Sequence, residues 1–209
     1  NYKNFIFRNN LNKGAIFNKK TVIFYIMTFE NAKISDLIIC KPNLIQDDRG
    51  FFYESFRKNL LEKHLNYKIN FCQENFSKSK YGVFRGFHFQ IPPFSQSKLV
   101  SVVVGKIQDI AIDLRKKSEN YGKVFSIILD DVNHKSLFIP KGFAHGFLTL
   151  SETAIVGYKI DNYYKPDYER GLNFNDPKLK FKFEIEKSLI ITSQKDSKFP
   201  NLKLTNYFD

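Results

Sequence analysis

The stretch GVFRGFHFQ, Gly82 to Gln90, has the aromatic and β-branched content of a β-strand, yet Arg85, His88 and Gln90 interrupt its apolar residues. A polar group buried in an ordinary core without a partner costs roughly 1–3 kcal/mol. A strand carrying three such groups must therefore either supply each with a partner or border a wet cavity in which they form a site. In a regular strand positions 85 and 88 point to opposite faces. One cavity can receive both only if the strand bulges between them, and Gly86 is the natural place for that.

Working outward, the chain reads as short apolar runs punctuated by turn residues. LIICKPNLI after Asp36 suggests a strand, DDRG (47–50) is turn chemistry, and a further strand is predicted over 51–56. A short helix is predicted over 60–65. Residues 71–76 and 82–90 read as strands flanking a Ser/Lys loop, and Pro92-Pro93 opens another loop. Runs 98–104 and 107–114 meet at Gly105-Lys106, which reads as a tight hairpin. Residues 124–129, 136–139, 147–150 and 154–160 complete the set. With 23 Phe and 11 Tyr but few helical periodicities, the pattern predicts an all-β jelly roll or related double-sheet barrel with a few short helices. At 209 residues this is one domain with a sizeable core.

The net charge of +12 raises the question of nucleic acid. Five basic residues and no acid fall in residues 1–26, and the remaining 28 basic and 21 acidic residues are scattered rather than clustered. No basic helix or RNA-reading motif emerges, so nucleic acid is not expected as a partner, and a small anionic ligand suits the charge equally well. Cys40 and Cys72 lack metal or redox spacing and read as reduced thiols of a cytoplasmic protein. The apolar run at 21–26 is too short to span a membrane. Residues 1–26 read as an extension, and residues 27–209 as the domain.

In IPKGFAHGF, Ile139 to Phe147, the spacing Pro-x-Gly-x-x-His matches the second motif of cupins, small jelly-roll barrels with the active site in the lumen. A metal-binding cupin also supplies His-x-His on an earlier strand, whereas here the place reads His88-Phe-Gln90. Two histidines and an amide form a poor divalent-metal set, so a metal-free site without cofactors is expected.

Several segments together resemble one family. Asp48-Arg-Gly-Phe-Phe-x-Glu54, Gln73-x-Asn75, Arg85-Gly-x-His88-x-Gln90, Gln96-x-Lys98, Asp109-x-Ala-x-Asp-Leu-Arg115, the Pro140 to Phe147 motif, Tyr158-Lys159, Tyr164-x-Pro-x-x-Glu169, Asn175-Asp-Pro177 and Ser193-x-Lys-Asp196 follow the order seen in dTDP-4-dehydrorhamnose 3,5-epimerases. The resemblance runs from about Ser35 to Pro200. It implies a cupin-type jelly roll, a homodimer with N-terminal strands exchanged, a nucleotide-diphosphate sugar as substrate, and a role in surface-polysaccharide synthesis.

It also implies roles. In a 4-keto sugar the carbonyl acidifies the hydrogens on C3 and C5, so inverting those centres needs a base, a grip on the enolate and an acid on the opposite face. His88 resembles the base, with Asp196 as its dyad partner; taken alone, Ser193-x-x-Asp196 reads as a helix cap. Tyr158 resembles the proton donor, and Lys98 the cation at the oxyanion. His145, with Asp109, would complete the sugar-facing wall. Arg49, Glu54, Gln73, Asn75, Arg85, Glu169 and Lys195 match substrate-binding positions, and Tyr164 the aromatic that stacks on the base. Phe87, Phe89 and Phe174 depart from the residues common in the family and leave the sugar open. Inversion at C3 alone, a sugar 3,4-ketoisomerase, and an inactive nucleotide-sugar-binding module stand as alternatives.

Overall fold

The computed structural model describes residues 27–34, 36–202 and 207–208, and the extension expected over residues 1–26 lies outside them. The strands are β1 (Met27–Asn31), β2 (Ile38–Pro42), β3 (Ile45–Asp47), β4 (Gly50–Phe52), β5 (Gln73–Lys80), β6 (Phe84–Gln90), β7 (Lys98–Val104), β8 (Lys106–Asp113), β9 (Val124–Asp130), β10 (Ser136–Ile139), β11 (Phe143–Thr149), β12 (Thr153–Ile160) and β13 (Glu169–Gly171). Helix α1 spans Lys58–Leu65, and α2 spans Gln194–Ser197. A six-stranded sheet, ordered β1-β2-β10-β7-β12-β5, faces a five-stranded sheet, ordered β13-β6-β11-β8-β9, and β3 and β4 form a separate hairpin. This is the jelly roll that the strand spacing predicts.

Period-2 alternation sorts the side chains into three apolar layers. Between the sheets lie Val100, Val102, Leu137, Ile139 and Val156 from one side and Ile107, Ala111, Phe143 and Phe147 from the other. The alternate positions Phe84, Phe87, Phe89, Ile110, Ile112 and Leu148 pack outward under Leu172, Leu179 and Phe183 of the C-terminal segment. On the outer face of the other sheet, Ile38, Leu99 and Phe138 bury Leu61 of α1.

Several local expectations change. The strand predicted over 147–150 begins at Phe143, because β11 pairs with β8 from that residue on. Gly105-Lys106 does not close a hairpin: β7 pairs with β10 and β12, whereas β8 pairs with β11 and β9, so the chain crosses between sheets there. Gly105 has φ +84°, and a Cβ on it would meet Thr153 O at 2.2 Å, which is why a glycine marks the crossing. The Ser/Lys segment at 77–80 is strand, not loop, because every residue of β5 pairs with β12 and Ser77 and Ser79 face inward between outward lysines. The strand predicted over 51–56 shrinks to Gly50–Phe52, since the exposed hairpin joins neither sheet to prolong its ladder.

The bulge expected at Gly86 is present. Against β11, His88 pairs with His145 and Arg85 with Phe147, so Gly86 and Phe87 oppose the single residue Gly146. Phe84, Phe87 and Phe89 can then all face the outer layer while Arg85, His88 and Gln90 face the lumen. Gly86 has φ +142°, and a Cβ there would lie 2.5 Å from Gly146 Cα. Gly86→Ala is expected to destabilise the protein by roughly 2–4 kcal/mol, read as a lowered urea midpoint; a midpoint unchanged from wild type would show that the bulge does not depend on glycine.

Candidate active site

Two adjoining cavities, of about 450 and 260 Å³, open between the sheets, and His88, Lys98 and Tyr158 line both. His88 comes from β6 of one sheet, and Lys98 and Tyr158 come from β7 and β12 of the other. The larger cavity adds Arg85, His145, Lys195 and Asp196. The smaller adds Gln73, Asn75, Tyr164 and Glu169. Another cavity of about 490 Å³, beside Lys123, Lys178 and Lys180, has neither carboxylate nor imidazole among its described lining and offers no proton-transfer pair.

Asp196 joins the two ends of the chain's chemistry. Ser193 caps α2 by accepting the Asp196 N–H at 3.0 Å, so the capping expectation holds, and the cap leaves the Asp196 carboxylate free. Its Oδ1 lies 2.8 Å from His88 Nε2, and its Oδ2 accepts the Gly86 N–H at 3.2 Å. Burial alone would raise the Asp196 carboxyl, but the hydrogen bond and charge of His88, with the Gly86 and Ser193 bonds, hold it below the ordinary carboxylate range. An ionised acceptor makes Nε2 the protonated nitrogen of neutral His88 and leaves Nδ1 able to take a proton.

A second histidine–carboxylate pair lies deeper. His145 Nε2 sits 3.1 and 2.9 Å from the two oxygens of Asp109, which is fully buried. Burial pushes the His145 imidazole down despite Asp109, so it stays neutral at neutral pH. Lys98 Nζ reaches His88 O at 3.5 Å, and burial pushes its ammonium down to about 8, against the opposing pull of Asp109 and Glu169. Burial likewise raises the Tyr158 phenol, which keeps its proton at neutral pH.

Toward the mouth, Tyr164 Oη donates to Glu169 at 2.8 Å, and Glu169 also pairs with Lys195. Gln73 Nε2 donates to Asn75 Oδ1 at 2.9 Å. Arg85 reaches across to β5, where Nε donates to Ser79 Oγ at 2.9 Å and Nη2 to Lys78 O at 3.3 Å. Of the thirteen residues expected in the site, eleven line the two cavities. Arg49 and Glu54 do not: Arg49 is bound to Asp47 on the exposed hairpin, and Glu54 to Arg57. Gln90 and Gln96 also line the smaller cavity. Both stand in the quoted motifs, but the Tyr163 and Asn162 carbonyls that they bind lie more than 60 residues away along the chain, and nothing local in the sequence points to them.

The sequence model of one family, described as dTDP-4-dehydrorhamnose 3,5-epimerase, matches residues 31–204. The chain belongs to that family. It is 39% identical over 182 residues to the dTDP-4-dehydrorhamnose 3,5-epimerase of Shigella flexneri, covering 87% of this chain and 99% of the relative. Among solved structures, the dTDP-4-dehydrorhamnose 3,5-epimerase of Elizabethkingia anophelis superposes with a TM-score of 0.84 at 39% identity, over 88% of this chain and all of the other. The Legionella pneumophila dTDP-6-deoxy-D-glucose-3,5-epimerase, solved in complex with dTDP-4-keto-L-rhamnose, gives 0.80 at 39% identity over 84% of this chain and 92% of the other. The fold of these epimerases is thus the fold of this chain. Among the described residues no group of three or more His, Cys, Asp or Glu is placed to hold a metal ion, and no helix is long and apolar enough to cross a membrane.

The burial of Lys98 can be tested directly. If the lysines are dimethylated with ¹³C, the Lys98 signal is expected to titrate near pH 8, below the bulk of the lysines at about 10.4. Titration of Lys98 together with the exposed lysines would show an ammonium open to water.

Proposed function

We propose that the chain epimerises a dTDP-linked 4-keto-6-deoxy sugar at C3 and C5. The observation that carries this reading is that His88, held by Asp196, and the protonated phenol of Tyr158 come from opposing sheets and line the same two cavities. In each inversion His88 Nδ1 takes the hydrogen beside the carbonyl as a proton, and the bonding electrons pass to O4 as an enolate. Tyr158 Oη then delivers a proton to the opposite face of the same carbon, the enolate collapses to the ketone, and proton exchange with water resets both groups. The half-buried Lys98 ammonium stabilises O4 while it carries charge, and neutral His145 supplies a hydrogen-bonding wall. The reaction is redox-neutral, so its balance calls for neither hydride carrier nor oxidant.

Substrate binding follows the exposure of the side chains. Arg85 and Lys195 are the cations suited to diphosphate oxygens, with Gln73, Asn75 and Glu169 lining the route and the half-exposed Tyr164 ring offered to the base. Arg49 and Glu54 serve this reading if a second copy brings its β3–β4 hairpin to the cavity. Two features support such a homodimer: the hairpin exposes Phe51 and Phe52, and β1 is an edge strand. A cytoplasmic setting accords with the free thiols of Cys40 and Cys72.

Incubation of the protein with dTDP-4-keto-6-deoxyglucose in D₂O is expected to place deuterium at both C3 and C5. Label at C3 alone would identify a C3 epimerase, label with a displaced carbonyl a ketoisomerase, and no label a binding module. His88→Ala and Tyr158→Phe are each expected to lose about 10²–10⁴ in kcat with the fold retained; near-normal turnover in either removes the assigned role. Because the Lys98 ammonium exists below its pKa of about 8, activity is expected to fall as pH rises through that value, and a flat profile from pH 7 to 9.5 would show that its charge is not used.

A further inference from the structure

Between the end of β12 and the 3-10 turn at Pro166–Tyr168, the backbone runs without ladder partners past the mouth of the cavity. Three glutamine side chains meet it there. Gln96 Nε2 donates to Asn162 O at 2.9 Å. Gln90 Nε2 donates to Tyr163 O at 3.2 Å, and Gln90 Oε1 accepts the Lys165 N–H at 2.7 Å. Gln73 Oε1 accepts the Tyr164 N–H at 3.2 Å. Four consecutive residues thus each give one backbone group to an amide rooted in β5, in β6 or in the segment leading into β7. The second donor position of Gln90 goes to Phe94 O at 2.6 Å, tying the segment after β6 into the same knot.

We propose that these amides form a clamp that presets the 162–165 loop, and that Gln90 and Gln96 are positioning residues for the nucleotide half of the substrate, acting through Tyr164. The inference rests on the epimerase reading for the identity of the ligand, but the clamp itself does not. Gln90 is 4% exposed, and both its N–H donors and its carbonyl oxygen are already engaged with backbone groups, so its amide is committed first to the protein. Tyr164 in contrast is 47% exposed, with its hydroxyl fixed on Glu169. A ring carried on a loop that the substrate had to order would lose that ordering cost from its affinity, whereas a loop ordered in advance does not. The position where a metal-binding cupin has the second histidine of His-x-His is thus used here to hold the wall that meets the base.

The test uses the full chain with Gln90→Leu, which keeps most of the side-chain bulk and removes the three hydrogen bonds. Without any substrate, amide hydrogen exchange at residues 163–165 is expected to rise at least about tenfold, while the strands keep their protection. In turnover, the KM for dTDP-4-keto-6-deoxyglucose and the Kd for dTDP are expected to rise about tenfold, the scale of one weakened base–aromatic stack, with kcat changing far less. In a Tyr164→Ala background the same substitution is expected to add little, because the two act as one unit. Unchanged exchange at 163–165 would overturn the clamp, and a full KM effect persisting without Tyr164 would overturn its action through that ring. Should Gln90→Leu fail to fold, Gln96→Leu reads the same quantities with one hydrogen bond removed. A wild-type chain that binds dTDP but leaves the sugar unlabelled in D₂O would retire the epimerase reading and leave the clamp standing on the exchange data.

Discussion

The Asp196 carboxylate holds two neighbouring groups of β6 at once, the Gly86 N–H and the His88 imidazole, across 110 and 108 residues of chain. One oxygen gives the bulge an acceptor for an amide that the interrupted ladder leaves unpaired, and the other orients the ring that the bulge turns inward. The geometry of β6 and the orientation of the His88 ring are therefore set by the same buried group. The close approach of Gly86 to Gly146 completes the constraint, since two strands that near each other leave no room for a Cβ on either.

The lumen grades from dry to wet. At its inner end Asp109 is fully buried and His145 nearly so, and Lys98 carries its charge at a cost visible in its lowered pKa. Opposite charges close by keep that cost bearable, as expected when an ionised group is withdrawn from water. At the mouth, Glu169, Lys195 and Tyr164 form a partly exposed network in which water screens the charges. A ligand with a neutral reacting ring and a charged tail would enter such a gradient ring first, which accords with the proposed substrate.

Part of the charged chemistry in the quoted motifs holds the fold. Asp113 of the Asp-Leu-Arg motif is fully buried, binding Arg115 and Ser118. Asp176 of Asn-Asp-Pro accepts the Leu202 and Lys178 N–H groups and pins the C-terminal segment over the outer apolar layer. Composition and spacing do not tell which of Asp113, Asp176 and Asp196 meets an imidazole, because that partner lies elsewhere in the fold. What separates them is the partner each meets: backbone and arginine for the first two, an imidazole in a cavity for the third.

The sequence by itself determined the strand content, the family and, through the clash between strand period and residue type at 85 and 88, the need for a bulge at Gly86. These are readable because side-chain alternation and glycine geometry are local properties of a few consecutive residues. Only the tertiary structure decided that the chain changes sheets at Gly105, that Ser77–Lys80 continue β5, that Arg49 and Glu54 stand apart from the cavity of their own chain, and that Gln90 binds backbone near Tyr164. Each of those depends on which distant segment supplies a ladder partner, a charge or a carbonyl, and the local sequence carries no record of that choice.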